Sequence, residues 1–146
     1  MKSILDNGYS WILERIEYSN GLDIYLRELK RGPMQDAEIA GSAIIKNVYP
    51  LRSDESCLAA RVSFSDLLAW QCLNESATTD FSGDVQESAG FLSVLSSSAY
   101  LSYVLSNHGW YVEVQKRPVR HYRVWSENEI LDVVSFGAPA IELVNA

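Results

Sequence analysis

The sequence predicts a single α+β domain over residues 1–146, built mainly as an antiparallel β-sheet or sandwich with one helix near residues 98–107. Three observations lead there. Apolar and polar residues alternate with period two over much of the chain, the signature of half-buried strands. Turn-forming clusters punctuate these runs at short intervals. Only one segment carries a cap, a helical apolar stripe and a stop together.

The first element is a hairpin. Ile12, Ile16 and Tyr18 alternate with polar neighbours, then Leu22, Ile24 and Leu26 do the same, with Ser19-Asn20-Gly21 between. A three-residue loop with Gly21 in the left-handed region pairs Tyr18 with Leu22, Ile16 with Ile24 and Ile12 with Glu28, gathering six apolar residues on one face. A two-residue Asn-Gly turn would set Glu17 opposite Ile24 and mix the faces.

Lys30-Arg31-Gly32-Pro33 ends this hairpin, and Ala43 to Leu51 is β-rich before the polar turn Arg52-Ser53-Asp54-Glu55-Ser56. From Leu58 to Cys72 the even positions are apolar apart from Asp66, which reads as strand, with a helix from Ser63 as the alternative. Asn74 to Gly90 is a long acidic loop with Glu75, Asp80, Asp84 and Glu87 and no Lys or Arg. Ser96, Ser97 or Ser98 then caps a helix through Leu105 that turns Leu101, Val104 and Leu105 toward the sheet, with Asn107 and Gly109 as its stop. The rest returns to strand: Gly109–Val114, Val119–Trp125, Ile130–Phe136 and Ala140–Val144.

Hydrophobic residues make up 47% and charged residues 21%, a balance that supports a buried core and excludes a disordered chain. Lys and Arg number 12 against 19 Asp and Glu, a net charge of −7. That excess disfavours nucleic acid and anionic membranes and favours a basic protein as partner. No apolar run reaches membrane-spanning length, and Met1 to Gly8 breaks off before forming a signal-peptide apolar region, so a cytoplasmic location is expected. Open sheet edges allow a homo-oligomer.

Catalytic motifs are lacking. Cys57 and Cys72 fit neither a disulfide framework nor a metal or redox spacing, and Cys72, on the apolar even face, is expected to be buried and inert. His108 sits at the proposed helix end and His121 within a strand, neither with a ligand at metal spacing. Asp66, Glu14, Glu28 and Asp132 stand among apolar neighbours. Each acts as an acid with a raised pKa or marks a strand end, a bulge or an Arg partner. No phosphate loop, dinucleotide fingerprint or HExxH occurs, so no cofactor is predicted.

Two function classes follow. One is a non-catalytic acidic protein-binding module, of the immunity or inhibitor type, that engages a basic partner through Glu75, Asp80, Asp84 and Glu87. The other is a small-molecule binder or enzyme with a cleft near the basic-aromatic segment 110–125, where Arg117, Arg120, Arg123 and His121 would hold an anionic ligand. Within that segment, Arg120 and Arg123 are alternatively taken up by acidic side chains of neighbouring strands or of the loop.

Overall fold

Phe64 and Tyr122 meet ring to ring at 5.5 Å, and around this contact two antiparallel sheets close on a shared core. The computed structural model describes residues 3–39, 41, 43–77 and 80–144. With strands numbered along the chain, the first sheet has the order β1 (Ser10–Tyr18), β2 (Leu22–Arg31), β6 (Ala59–Phe64) and β12 (Ala140–Val144), and the short β5 (Leu51–Arg52) also pairs with β2. The second has the order β7 (Leu67–Asn74), β11 (Glu129–Ser135), β10 (Arg120–Trp125), β9 (Leu92–Ser97) and β8 (Val85–Ser88). β3 (Gln35–Ile39) and β4 (Ala43–Val48) form a separate two-stranded sheet, and one helix, α1, spans Ala99–Gln115. The mainly antiparallel α+β architecture expected from the sequence is the one observed.

Leu22, Ile24 and Leu26 of β2 and Ala60, Val62 and Phe64 of β6 pack with Tyr122 and Val124 of β10 and Leu131 and Val133 of β11. Each large apolar side chain removed from water here contributes about 1.5–3 kcal/mol. β10 and β11 differ from the other strands in being buried on both faces: His121–Val124 and Ile130–Ser135 are buried without a break. One face meets the core, and the other lies under α1 and the chain segment 80–84.

Several local expectations change. The hairpin pairs Tyr18 with Leu22 and Ile16 with Ile24 as expected, but a bulge between Leu13 and Arg15 sets Ile12 opposite Arg27 and Trp11 opposite Glu28. The extra residue, Glu14, exchanges Ile12 for Trp11 and Leu13 on the core side, and Trp11 is fully buried. Gly21 is not left-handed. It is required because a Cβ there would lie 2.7 Å from the Phe64 carbonyl oxygen. The apolar run 58–72 is strand, yet it breaks at Ser65-Asp66 into β6 and β7, which belong to different sheets. The Asp66 carbonyl holds this corner by accepting from Phe136 N at 2.9 Å and Ser135 Oγ at 2.9 Å. The acidic loop is shorter than expected, since β8 occupies Val85–Ser88.

The largest departure is α1, which continues to Gln115 through residues expected to form a strand at Gly109–Val114. Asn107 does not cap the helix but donates its amide to the Tyr103 carbonyl at 2.8 Å. A helical Gly109 costs only about 1 kcal/mol relative to Ala. The helix ends where Lys116 turns left-handed, at φ 52°, and bonds back to Val112 and Glu113, just before Arg117-Pro118. His108 therefore lies mid-helix. Leu105 remains exposed, and Val104 is the buried residue of α1.

Replacing Gly21 with Ala or Val should lower stability by about 1–3 kcal/mol, since the added carbon meets backbone rather than a movable side chain. Denaturant midpoints measure this, and an unchanged midpoint would contradict the close approach of turn and corner.

Candidate functional site

Adjacent strand residues point to opposite faces, so His121 and Arg123 of β10 share the face turned from the core, and Asp132 of β11 lies opposite Arg123 in the ladder. Asp132 is 0% exposed, and its two oxygens gather three donors. His121 Nε2 donates to Oδ1 at 2.7 Å, Arg123 Nε to Oδ1 at 2.8 Å, and Gln71 Nε2 of β7 to Oδ2 at 3.0 Å. Burial pushes the Asp132 carboxyl up, but the bonds from His121, Arg123 and Gln71 outweigh it and hold the group below its ordinary value. Arg123, 1% exposed, passes the network on by donating from Nη1 to Asp84 Oδ2 at 2.9 Å. Asp84 Oδ1 then accepts the Ala99 N–H at 3.2 Å, tying the 80–84 segment to the start of α1.

This segment acts as a strap. Phe81 lies under the Arg123 guanidinium, 3.9 Å from ring centroid to Cζ, and meets Trp125 edge-on at 5.9 Å. Between strap, helix and sheet a cavity of about 370 Å³ remains, lined by Gln71, Leu73, Asp80, Phe81, Asp84, Ala99, Tyr100, Tyr103, Arg123 and Asp132. Tyr100 also meets His121 edge-on at 5.5 Å. Burial, then the charge of Asp132, pushes the Tyr100 hydroxyl up to about 12, so it stays protonated at neutral pH. Asp80, exposed at the rim, is held below its ordinary value by its bond from the Ser82 N–H. A hollow of about 410 Å³ at the first hairpin is lined by turn residues, with no buried ionisable group.

Ser98, His121 and Asp132 line up as a hydroxyl, an imidazole and a carboxylate, with 2.6 Å from Ser98 Oγ to His121 Nδ1. Geometry alone suggests a nucleophile relay. Its surroundings argue against one. Ser98 Oγ accepts the Leu101 N–H at 3.0 Å as the cap of α1, and neither Ser98 nor His121 lines the cavity. The hydroxyl secures the helix start and donates to the ring, where no substrate carbonyl reaches it.

The four acidic residues expected to form a docking surface separate. Asp80 and Asp84 share the cavity, and Asp84 is nearly buried against Arg123. Glu87 on β8 pairs with Arg120 at 3.2 Å, and Glu75 opens a 3-10 turn whose N–H donates to the Asn128 carbonyl. Of the four residues considered for an anion site, two stand apart and two meet on one carboxylate. Arg117 pairs with Asp66 at 2.6 Å, Arg120 with Glu87, and Arg123 and His121 with Asp132. The remaining isolated carboxylates follow the structural alternative, with Glu14 bonded to Arg27 at the bulge and Glu28 accepting the Leu58 N–H at 3.2 Å. Sequence reasoning missed Gln71, Phe81 and Tyr100, and named Ser98 among three candidate helix caps without its contact to His121. Their one trace was His121, Arg123 and Asp132, polar residues inside strands whose other interior positions are apolar.

Cys57 is buried and Cys72 exposed, the reverse of expectation for Cys72, which stands on the edge strand β7. Partial shielding of its sulfur, then the neighbouring Glu129 charge, pushes this thiol up to about 11. Among the described residues no group of three or more His, Cys, Asp or Glu is placed to hold a metal ion, and no helix is long and apolar enough to cross a membrane. No protein-family model matches the chain, and neither the curated proteins nor the solved structures include a significant match.

Two outcomes follow. A carboxyl held low in the folded state stabilises the protein above the unfolded value near 3.8, and that stability is lost as pH falls through the lower folded value. Asp132→Asn should therefore cost about 3–5 kcal/mol at pH 7 by breaking a buried pair, and the variant should lose less further stability than the wild type below pH ~4. Parallel acid unfolding curves would contradict this. Iodoacetamide should modify Cys72 slowly at pH 7 and faster toward pH ~11, whereas rapid labelling at neutral pH would contradict the raised thiol.

Proposed function

We propose that this chain is a non-catalytic protein-binding module that docks a basic protein partner, in the manner of a small immunity or inhibitor protein. The docking surface is the 80–84 strap together with the outward face of α1. One observation carries this reading. Tyr103, Trp110 and Val114, spaced i, i+7 and i+11, form an exposed stripe on one side of the helix, and Tyr103 also lines the carboxylate-bearing cavity. Trp110 is 65% exposed and Tyr103 60%. Large aromatic anchors beside a charged rim are the anatomy of a protein interface, where such residues supply most of the binding energy. The net charge of −7 favours encounter with a basic surface.

A catalytic reading has less support, because Ser98 is committed to capping. Of the segment 110–125, Arg123 lines the cavity under the strap and Trp125 borders two smaller hollows, neither of which holds Arg117, Arg120 or His121. Nucleic acid is disfavoured, as Arg117, Arg120 and Arg123 already face carboxylates.

The immobilised wild-type chain, exposed to extract of its source cells, should retain a basic protein at low salt and release it as salt rises. Trp110→Ala combined with Tyr103→Ala should abolish retention, and Asp80→Asn should slow association and flatten its salt dependence, with thermal midpoints unchanged. Retention indifferent to these variants, or none of any basic protein, would overturn the proposal.

A further inference from the structure

The cavity beneath the strap combines features that together select a ligand charge. Three carboxylates, Asp80, Asp84 and Asp132, line it against one guanidinium, Arg123. That guanidinium is compensated twice, at 2.8 Å by Asp132 and at 2.9 Å by Asp84, so it offers an incoming anion no net attraction. Further walls are Leu73 and the rings of Phe81, Tyr100 and Tyr103, whose aromatic faces carry negative quadrupole charge. Asp132 at 0% exposure is part of the lining, so its charge acts in a poorly screened setting where Coulomb forces exceed those at the surface. At about 370 Å³, the space exceeds what water alone needs and admits one long side chain.

We propose that this cavity is a binding site for a guanidinium or ammonium group on an alkyl stem, supplied by an Arg or Lys side chain of the basic partner. The inference rests on the docking reading for its source, while the site's preference for a cation stands on the cavity itself. The charged head sits toward Asp80 and Asp84, and the stem lies along Tyr103 and Leu73. The Tyr100 hydroxyl remains neutral and adds a polar contact without opposing charge. An anionic ligand would meet a lining of net negative charge, three carboxylates against one guanidinium, which is why the same cavity does not serve the basic-segment alternative.

The test uses the free, full-length chain at low ionic strength. N-acetyl-arginine amide is titrated while the amide resonances of 80–84 and 99–103 and the Gln71 side-chain amide are followed. The expected result is saturable shifts confined to these groups, with a dissociation constant of about millimolar for a lone side chain. N-acetyl-citrulline amide, of the same shape without the charge, should bind at least about tenfold more weakly. Asp80→Asn and Tyr103→Ala, both exposed and so compatible with folding, should each weaken binding by about threefold or more. Tyr9→Ala, exposed and outside both the cavity and the docking face, should leave it unchanged. Equal response to the citrulline analogue, saturable sulfate binding at the same amides, or unsaturable shifts would overturn the proposal. A chain that binds the arginine analogue but retains no basic protein overturns the docking reading alone. One that retains a partner through α1 but ignores the analogue overturns the cavity assignment alone.

Discussion

The outer layer of the molecule depends on a single buried carboxylate. Asp132 accepts from His121, Arg123 and Gln71, and so joins β11 to β10 and β7 by side chains as well as by the ladder. Through Arg123 it reaches Asp84 and the strap, and through His121 it reaches Ser98 and the start of α1. Burying a carboxylate costs several kcal/mol, and that cost is offset only when partners satisfy its oxygens. Here three donors do so. The interaction is thus less a source of net stability than a constraint on arrangement: strap and helix must sit where Arg123 and Ser98 can complete the network.

That constraint explains the division of labour between the two faces of the second sheet. The inner face is apolar, fixed by Tyr122, Val124, Leu131 and Val133 against the first sheet. The outer face, carrying the polar network, is covered incompletely by a helix with little of its surface buried. The uncovered remainder comprises the cavity and the Tyr103, Trp110 and Val114 stripe. A rigid floor beneath an exposed aromatic edge suits recognition, because ordering costs are met in folding rather than on binding.

How far the sequence reveals this depends on the range of the interaction. Local alternation places most strands, and the hairpin pairing of Ile16 with Ile24 follows from turn chemistry alone. The bulge at Glu14 is not local, since Leu13 is bonded on both its N–H and C=O by Asn128 of the turn between β10 and β11. The helix is misread at Gly109 because Asn107 and Gly109 resemble a stop, while the true end at Lys116 carries no glycine. The network is not readable from local pattern, because it depends on strand register: the observed ladder closes with Trp125 opposite Ile130 and so sets Arg123 opposite Asp132. The pairing of loop acids with strand arginines was visible as a matter of charge, but the choice of Asp84 for Arg123 and Glu87 for Arg120 is set by how the strap crosses the sheet.

Native-state hydrogen exchange on Arg123→Leu compared with wild type tests the central claim most directly. If Asp132 and Arg123 fix the outer layer, amides of the strap and of the first turns of α1 lose protection by orders of magnitude while those of β2 and β6 lose only the global stability change. Protection falling equally in all elements, or unchanged in the strap and helix, would contradict the account.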